Sequence, residues 1–333
     1  MTATYDVLGI GNAIVDTLAR AEDDQLVAAG LHKGAMQLVD EARAAEIYAA
    51  MGPTTVMSGG SGANTLVGAA GFGLSAAFIG KVKDDDAGRE FAHDIRKAGV
   101  AFDTPFATDG AATARCLILV TPDGQRTMNT FLGACQALGP EDVDEALVRA
   151  SKILYLEGYL WDPPAAKEAF LKAAKASRAA GNRVALSLSD AFCVDRYRGE
   201  FLSLVRDGLV DILFANESEL HSLYETADFA TAAKALGAES NLLGVVTRSE
   251  QGVIVVEGKK CVAVPAFPVT EVVDTTGAGD LFAAGFIAGL ARGLPHEGAA
   301  SLGALAAAEV IAHVGARPQK DLRQLARDHG LLA

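Results

Sequence analysis

Short apolar runs alternate with helical patterns along almost the whole chain, and this alternation restricts the fold more than any other feature. Residues 7–10, 76–80 and 212–215 are β-rich runs, whereas residues 62–71 and 85–98 have helical spacing. Repeated strand–helix units of this kind predict a doubly wound, mostly parallel sheet with helices on both faces. The expected fold class is therefore α/β.

Two segments, residues 13–40 and 102–131, interrupt the alternation. The first contains two strand-like runs around a short acidic helix, and the second contains two strands joined by Pro122-Asp123-Gly124-Gln125, a typical turn sequence. Neither has the helices needed to cover a core sheet. We expect them to pair as a small β-sheet above the carboxyl edge of the main sheet, with residues 1–12, 41–101 and 132–333 forming the α/β core.

Composition excludes several classes of protein. With 333 residues, of which 50% are hydrophobic, the chain can bury a large core. A net charge of −13 argues against nucleic acid or an anionic membrane as a partner. Charged residues and glycines interrupt the apolar segments, so no transmembrane helix is predicted. The first six residues lack the basic start of a signal peptide.

The four cysteines carry no metal or disulfide pattern. Cys116, Cys135, Cys193 and Cys261 are scattered without a CxxC pair. This spacing argues against a zinc site or a disulfide framework and is typical of a reducing compartment. We expect a cytoplasmic protein, as a monomer or homodimer.

The run Asp274-Thr275-Thr276-Gly277-Ala278-Gly279-Asp280 follows a strand-like run at 269–273 and precedes a helical pattern. The first N–H groups of a helix lack intrahelical partners and carry partial positive charge, so they suit a phosphoryl group. Asp280 would lie in the first helical turn, where it can take a proton from an attacking hydroxyl. An ordinary tight turn before a first-turn acid is the alternative.

This motif resembles the signature of the ribokinase-like (PfkB) family of sugar and nucleoside kinases. The resemblance implies an ATP-dependent kinase with Mg²⁺, and a small β-sheet that serves as a lid over the acceptor. It also implies that Gly277, Ala278 and Gly279 form an anion hole and that Asp280 is the catalytic base. Thr275, in the same motif, would contact ATP. The sequence does not decide whether a site for a monovalent cation (K⁺) lies near Asp274.

The N-terminal run from Gly9 to Asp16 is not a dinucleotide-binding fingerprint, because its third glycine is missing and no helix follows. It resembles the adenosine kinase branch of the family, in which Asn and Asp at this spacing contact the nucleoside. The resemblance assigns Asn12 and Asp16 to the substrate. A solvated acid at a strand end is the alternative for Asp16.

Ser58-Gly59-Gly60-Ser61-Gly62-Ala63-Asn64 opens the next helix. Glycines allow the backbone to approach a ligand, and an Asn side chain both donates and accepts hydrogen bonds. The run resembles the family's first signature, which makes Gly59, Gly60 and Asn64 ribose contacts. The alternative is a helix that simply starts after glycines.

Two further motifs point to Mg²⁺–ATP. Asn216 and Glu219 share one helix face and resemble the family's Asn-x-x-Glu motif, so Glu219 would hold Mg²⁺ through water. The same spacing is also a standard helix capping box. Thr247 follows a strand where the family has Thr-x-Gly, but Ser249 replaces that glycine. Within this motif, only Thr247 is therefore assigned to ATP.

A lid arginine and an apolar slot complete the expected site. Arg126 follows the lid turn and matches an arginine of adenosine kinases, so it would pair with the transferring phosphoryl group; Arg115 is its rival. An adenine base needs a flat apolar slot. We expect its walls among four residues: Met36, Tyr159, Leu160 and Trp161.

The sequence therefore predicts phosphoryl transfer to a primary hydroxyl of a nucleoside, above all adenosine + ATP to AMP + ADP. A sugar kinase acting on fructose, ribose or 2-keto-3-deoxygluconate is the alternative within the family. A catalytically silent sensor on the same fold is the alternative from another class. A P-loop kinase is excluded, because the chain has no GxxxxGK[ST] run.

Overall fold

The computed structural model describes residues 5–333, so the first four residues of the expected core lie outside the described part. No helix within residues 5–333 combines the length and apolar character needed to cross a membrane.

The chain forms strands and helices in the alternation expected. The strands are β1 (Tyr5–Ile10), β2 (Ile14–Arg20), β3 (Met36–Leu38), β4 (Thr54–Gly59), β5 (Ala76–Ile79), β6 (Val100–Ala101), β7 (Ala114–Val120), β8 (Arg126–Phe131), β9 (Ser151–Glu157), β10 (Arg183–Ser187), β11 (Ile212–Asn216), β12 (Leu243–Thr247), β13 (Val253–Glu257) and β14 (Lys260–Val264). The helices are α1 (Asp23–Ala28), α2 (Glu41–Ala50), α3 (Ser61–Gly71), α4 (Asp86–Lys97), α5 (Glu145–Arg149), α6 (Pro164–Ala179), α7 (Ala191–Arg206), α8 (Glu217–Tyr224), α9 (Phe229–Ala238), α10 (Ala278–Ala291), α11 (His296–Val310) and α12 (Leu322–Asp328).

The main sheet has the order β14-β13-β12-β11-β10-β9-β1-β5-β6. Its strands run parallel from β12 to β6, and β13 and β14 add an antiparallel edge. Side chains alternate between two cores, as they must in a sheet covered on both faces. Val7 and Tyr155 pack under α3, α4, α10 and α11, whereas Leu8 and Leu156 pack under α6 to α9. The predicted α/β class is confirmed.

A second sheet has the order β3-β8-β7-β2-β4. Helices α1 and α2 cover one of its faces through a small core that includes Leu26, Ile47 and Leu117. Asp16 is opposite Cys116 in the register, so both project from the other face. Val120 shares this face with Cys116, because alternate residues of a strand project from the same side. Arg126 is the partner of Val120 on the neighbouring strand, so it projects from that face as well.

The expected boundaries between core and lid were wrong in two places. Strand β4, expected in the core, pairs antiparallel with β2, so the second sheet extends to Gly59. Conversely, Phe102, expected in the lid, lies in the main core, with its ring centroid 5.2 Å from that of Phe91. A short β-rich run predicts a strand but not the sheet that it joins, because pairing depends on distant residues.

The strand expected at 269–273 does not form. Val272 and Val273 are exposed, and the Val273 N–H donates to the Ile311 carbonyl at 2.8 Å, beside the end of α11. The antiparallel pair β13 and β14 already forms this edge of the main sheet. Helix α10 is therefore preceded by an irregular segment and not by a strand.

Candidate active site

The glycine motif places an open helix N-terminus at the site. Gly277 caps α10 with φ of 79°, a left-handed conformation that favours glycine. A β carbon on Gly277 would also lie 2.8 Å from the Cβ of Ala316. A β carbon on Gly279 would meet nothing within 4 Å, so the first turn of α10 is open beside Gly279. The helix end can therefore receive an anion.

Asp280 is held by two side chains of α3. The Ser61 hydroxyl donates to one carboxylate oxygen at 2.6 Å, and the Asn64 amide donates to the other at 3.1 Å. Burial raises the pKa of Asp280, while these two hydrogen bonds and the charge of Arg317 oppose the shift. The carboxylate is thus oriented and more basic than usual.

Two buried asparagine oxygens of the substrate motifs lack partners. Asn12 is 2% exposed and Asn64 is 5% exposed, yet in the described residues neither side-chain carbonyl oxygen accepts a hydrogen bond. The Asn12 amide nitrogen donates to Glu157 at 2.6 Å, so its orientation is set. Buried acceptors of this kind normally have partners, and ligand hydroxyls would supply them.

Glu157 contacts both predicted substrate motifs, the N-terminal run and the glycine-rich start of α3. Its carboxylate accepts from the N–H groups of Asn12 at 3.2 Å and Gly62 at 2.7 Å. Burial raises its pKa to about 7, against the effect of these hydrogen bonds. Sequence analysis missed this residue, although an acid at the carboxyl end of a buried strand is a recognisable signal.

Gly59 and Gly60 lie against the N-terminal motif. A β carbon on Gly59 would lie 2.3 Å from the Asp16 carboxylate, and one on Gly60 would lie 2.2 Å from the Asn12 carbonyl oxygen. Burial raises the pKa of Asp16 to about 6, although Arg317 and Arg126 oppose the shift. The structure therefore brings Asn12, Asp16, Gly59 and Gly60 to one place.

Arg126 reaches the core from the second sheet. Its guanidinium forms an ion pair with Asp274, with side-chain exposures of 8% and 5%. Arg115 projects from the opposite face, where its guanidinium lies 4.9 Å from the ring centroid of Tyr48. Of the two rival arginines, only Arg126 is near the glycine motif.

Of the four apolar residues expected around a base, two are buried in the core and two are exposed. Leu160 and Trp161 are buried in the main core, and the Trp161 ring nitrogen donates to Glu200, so neither is available to a ligand. The prediction that Leu160 and Trp161 line an apolar slot for the base was wrong. Met36 is 53% exposed on the same face as Asp16, and Tyr159 is 40% exposed after β9.

Asn216 and Glu219 form the capping box that was the alternative interpretation. Asn216 Nδ2 donates to Glu219 at 2.6 Å, and the Glu219 N–H donates back at 2.8 Å. Burial raises the pKa of Glu219 to about 7, and the charge of Asp190 adds to the shift. No group of three acidic, His or Cys side chains suited to a metal occurs within residues 5–333.

This donor set fits Mg²⁺ held through water better than direct coordination. The Glu219 oxygens already accept hydrogen bonds from Asn216, and Asp190 is the neighbouring acid. Mg²⁺ usually keeps several waters and takes the rest of its ligands from substrate phosphates. Thr247 is at the adjoining strand end, opposite Asn216 in the register.

K⁺ does not fit at Asp274. This carboxylate accepts from the Thr276 N–H at 3.0 Å and the Gly315 N–H at 2.8 Å, and it is paired with Arg126. The surrounding groups are donors, one of them a full positive charge, so a further cation would be repelled.

Ser249 and Thr275, in the two predicted ATP motifs, lie outside the strands and α-helices. Ser249, which replaces the family's glycine, has φ of 49°, in the left-handed region. Serine thus adopts here a backbone conformation that favours glycine. Thr275 is exposed just before α10, and its carbonyl accepts from the Ala278 N–H at 3.2 Å.

Comparison with known proteins agrees with this geometry. A model of the pfkB family of carbohydrate kinases matches residues 28–322. The fold matches the crystal structure of adenosine kinase from Sinorhizobium meliloti at 51% identity and a TM-score of 0.90, covering 98% of this chain and 100% of that one. A probable sugar kinase from Rhizobium etli CFN 42 matches at 48% identity and a TM-score of 0.92, covering 99% and 100%.

A curated relative also matches over much of the chain. The ATP-dependent ribose-1-phosphate kinase of Halopiger xanaduensis is 33% identical over 236 residues, which is 69% of this chain and 72% of the relative. The fold and the site define an ATP-dependent kinase of small molecules. The chain belongs to the pfkB family of carbohydrate kinases.

Proposed function

We propose that this kinase transfers the γ-phosphoryl group of ATP to the 5′-hydroxyl of adenosine, giving AMP and ADP. The observation that carries the proposal is the Asp280 carboxylate, held by Ser61 and Asn64 beside the open N-terminus of α10. The similarity to the Sinorhizobium meliloti enzyme supports adenosine as the acceptor.

In the proposed reaction, Asp280 takes the proton of the acceptor hydroxyl as that oxygen attacks phosphorus. The N–H groups of Gly277 and Gly279 would stabilise negative charge on the transferring group, and that of Ala278 would join them by leaving the Thr275 carbonyl. Mg²⁺, held through water by Glu219, would neutralise charge on the ATP oxygens. Thr247, Thr275 and Asn216 would contact ATP, and Arg126 would approach the phosphoryl group from the second sheet, which acts as a lid.

The acceptor would lie between the second sheet and α3. The unpartnered oxygens of Asn12 and Asn64 would accept hydrogen bonds from its ribose hydroxyls, with Asp16 as a further acceptor. Gly59 and Gly60, which lie against Asp16 and the Asn12 carbonyl, would contact the sugar through their backbone. Met36 and Tyr159 are exposed and apolar enough to flank the base.

The test is ADP release from Mg²⁺–ATP with adenosine, other nucleosides, ribose, ribose 1-phosphate, fructose and 2-keto-3-deoxygluconate. Turnover confined to adenosine is expected. Asp280→Asn should lower kcat about 10²–10⁴-fold while adenosine binding is kept. Asp86→Asn is the matched control, since Asp86 is also a first-turn acid but its side chain is 99% exposed.

A sugar kinase is the second candidate, favoured by the Rhizobium etli and Halopiger xanaduensis relatives. Turnover on a free sugar or sugar phosphate alone would replace adenosine and keep the role of Asp280. Silence with every acceptor, in folded protein, would favour a sensor on this fold.

A further inference from the structure

Three consecutive residues after α11 contact three parts of the site. The Gly315 N–H donates to Asp274 at 2.8 Å, and Ala316 packs against Gly277. The Arg317 guanidinium donates to the Ser58 carbonyl at 2.6 Å, at the end of β4. This short segment therefore joins the start of α10 to the second sheet.

Arg317 holds both ends of one stretch of chain. Besides the Ser58 carbonyl, it donates to the Ser58 hydroxyl at 3.0 Å and to the Ala63 carbonyl at 3.4 Å. Ser58 is fixed from its other side, because its N–H and hydroxyl donate to Asp94 at 2.8 and 2.6 Å. The stretch between these contacts carries Ser61.

Ser61 and the adjoining Asn64 are the two residues that bind the Asp280 carboxylate. We propose that Arg317 is a positioning residue for phosphoryl transfer, which orients Asp280 through Ser61 and Asn64. This inference rests on the proposed function. It assigns to Arg317 no contact with substrate.

The charge of Arg317 also acts on the base. Burial raises the pKa of Asp280, and the guanidinium opposes that rise. Removing the positive charge should therefore raise the pKa further. The other titratable groups that interact with Asp280 lie on the second sheet and around β9: Asp16, Tyr155, Glu157 and Tyr159.

The test compares Arg317→Met, Arg317→Lys and a matched control, Arg292→Met. The Arg292 guanidinium also donates to two main-chain carbonyls, those of Phe72 and Ala288, but at the other end of α10. Arg317→Met should lower kcat about 10²-fold, the scale of a small misplacement, with little change in KM for the acceptor. Its acidic limb of kcat should move to higher pH.

Arg317→Lys separates charge from geometry. An ammonium keeps the positive charge but lacks the planar fork that reaches two carbonyls. We expect an intermediate kcat. The pH at which kcat falls on the acidic side of its profile should be the same as in the wild type. Arg292→Met should leave both the kcat and the limb unchanged, whatever it does to the melting temperature.

A measurement without turnover tests the same claim. In protein carrying ¹³C-labelled aspartate carboxyls, the Asp280 resonance is identified by its absence from Asp280→Asn. Its titration midpoint should rise in Arg317→Met and stay in place in Arg292→Met. An unchanged midpoint with an unchanged kcat, in folded protein, overturns the inference. A wild type that phosphorylates no acceptor overturns the proposed function instead, and the midpoint still decides whether Arg317 acts on Asp280.

Discussion

Arg126 on β8 and Asp274 before α10 form a buried ion pair that joins the second sheet to the glycine motif. Removing one partner of a buried pair leaves an unpaired charge, which typically costs about 3–5 kcal/mol. Asp274→Asn should therefore lower the free energy of unfolding by about that amount.

A double-mutant cycle with Arg126→Met, followed by urea unfolding, measures the coupling between the two. The control cycle uses Arg149 and Glu145, an exposed pair on α5 with about 0.3–0.5 kcal/mol expected. Equal coupling in both cycles would show that the Arg126–Asp274 pair contributes no more to stability than an exposed pair does.

Asn64 is expected to recognise one ribose hydroxyl through its unpartnered oxygen. Losing one side of such a hydrogen bond costs about 1–3 kcal/mol. Wild type should therefore discriminate against either 2′-deoxy- or 3′-deoxyadenosine in kcat/KM. Asn64→Ala should lower kcat/KM for adenosine and lose that discrimination.

Asn182→Ala is the control for this experiment, because Asn182 Nδ2 donates to the Arg149 carbonyl on the exposed surface. It should keep the wild-type preference. If Asn64→Ala discriminates as strongly as wild type, the oxygen of Asn64 does not face a ribose hydroxyl.

Ser249 carries a backbone cost that a glycine would remove. A left-handed conformation costs an L-residue roughly 1–2 kcal/mol, and the greater freedom of glycine in the unfolded chain returns about half of that. Ser249→Gly should raise the free energy of unfolding by up to about 1 kcal/mol, measured with urea. Ser218→Gly, in the exposed first turn of α8, should lower it. A loss in both variants would contradict the strain at Ser249.

Three buried carboxyls should make the protein more stable at mildly acidic pH. The pKa values of Glu157 and Glu219 are raised to about 7 and that of Asp16 to about 6, so these groups take up protons on folding. Their contribution is complete below the ordinary pKa of a carboxyl group. It is lost as pH rises from there to the folded values, by about 1.4 kcal/mol per pH unit for each, and does not change further above them.

The free energy of unfolding in urea, measured from pH 5 to 8, checks the sign. Glu157→Gln should flatten the dependence, whereas Glu145→Gln, on the exposed surface, should not. Stability that rises with pH between 5 and 7 would contradict the assignment.

The sequence predicted those parts of the molecule that depend on local pattern. Alternating β-rich and helical runs predicted the class of sheet, and the glycine motif predicted an acid in the first turn of α10. The strand β4 was not predicted, and no local signal tells which sheet a strand joins.

Long-range contacts account for what was missed. Glu157 lies 145 residues from Asn12, and Arg317 lies 259 residues from Ser58. The position of Glu157 at a strand end is visible in the sequence, but only the fold gives either residue its partner. Trp161 was misplaced for a related reason, since an aromatic after a strand end can turn either into the core or toward a ligand.

The chain passes between the two sheets four times within residues 5–333, and the first two passages are at 11–13 and at Gly60. Asn12 and Gly60, the proposed acceptor contacts, thus lie where the chain passes from one sheet to the other. An acceptor bound there would lie against both connections at once. The residues proposed to recognise the acceptor therefore also belong to the connections between the two sheets.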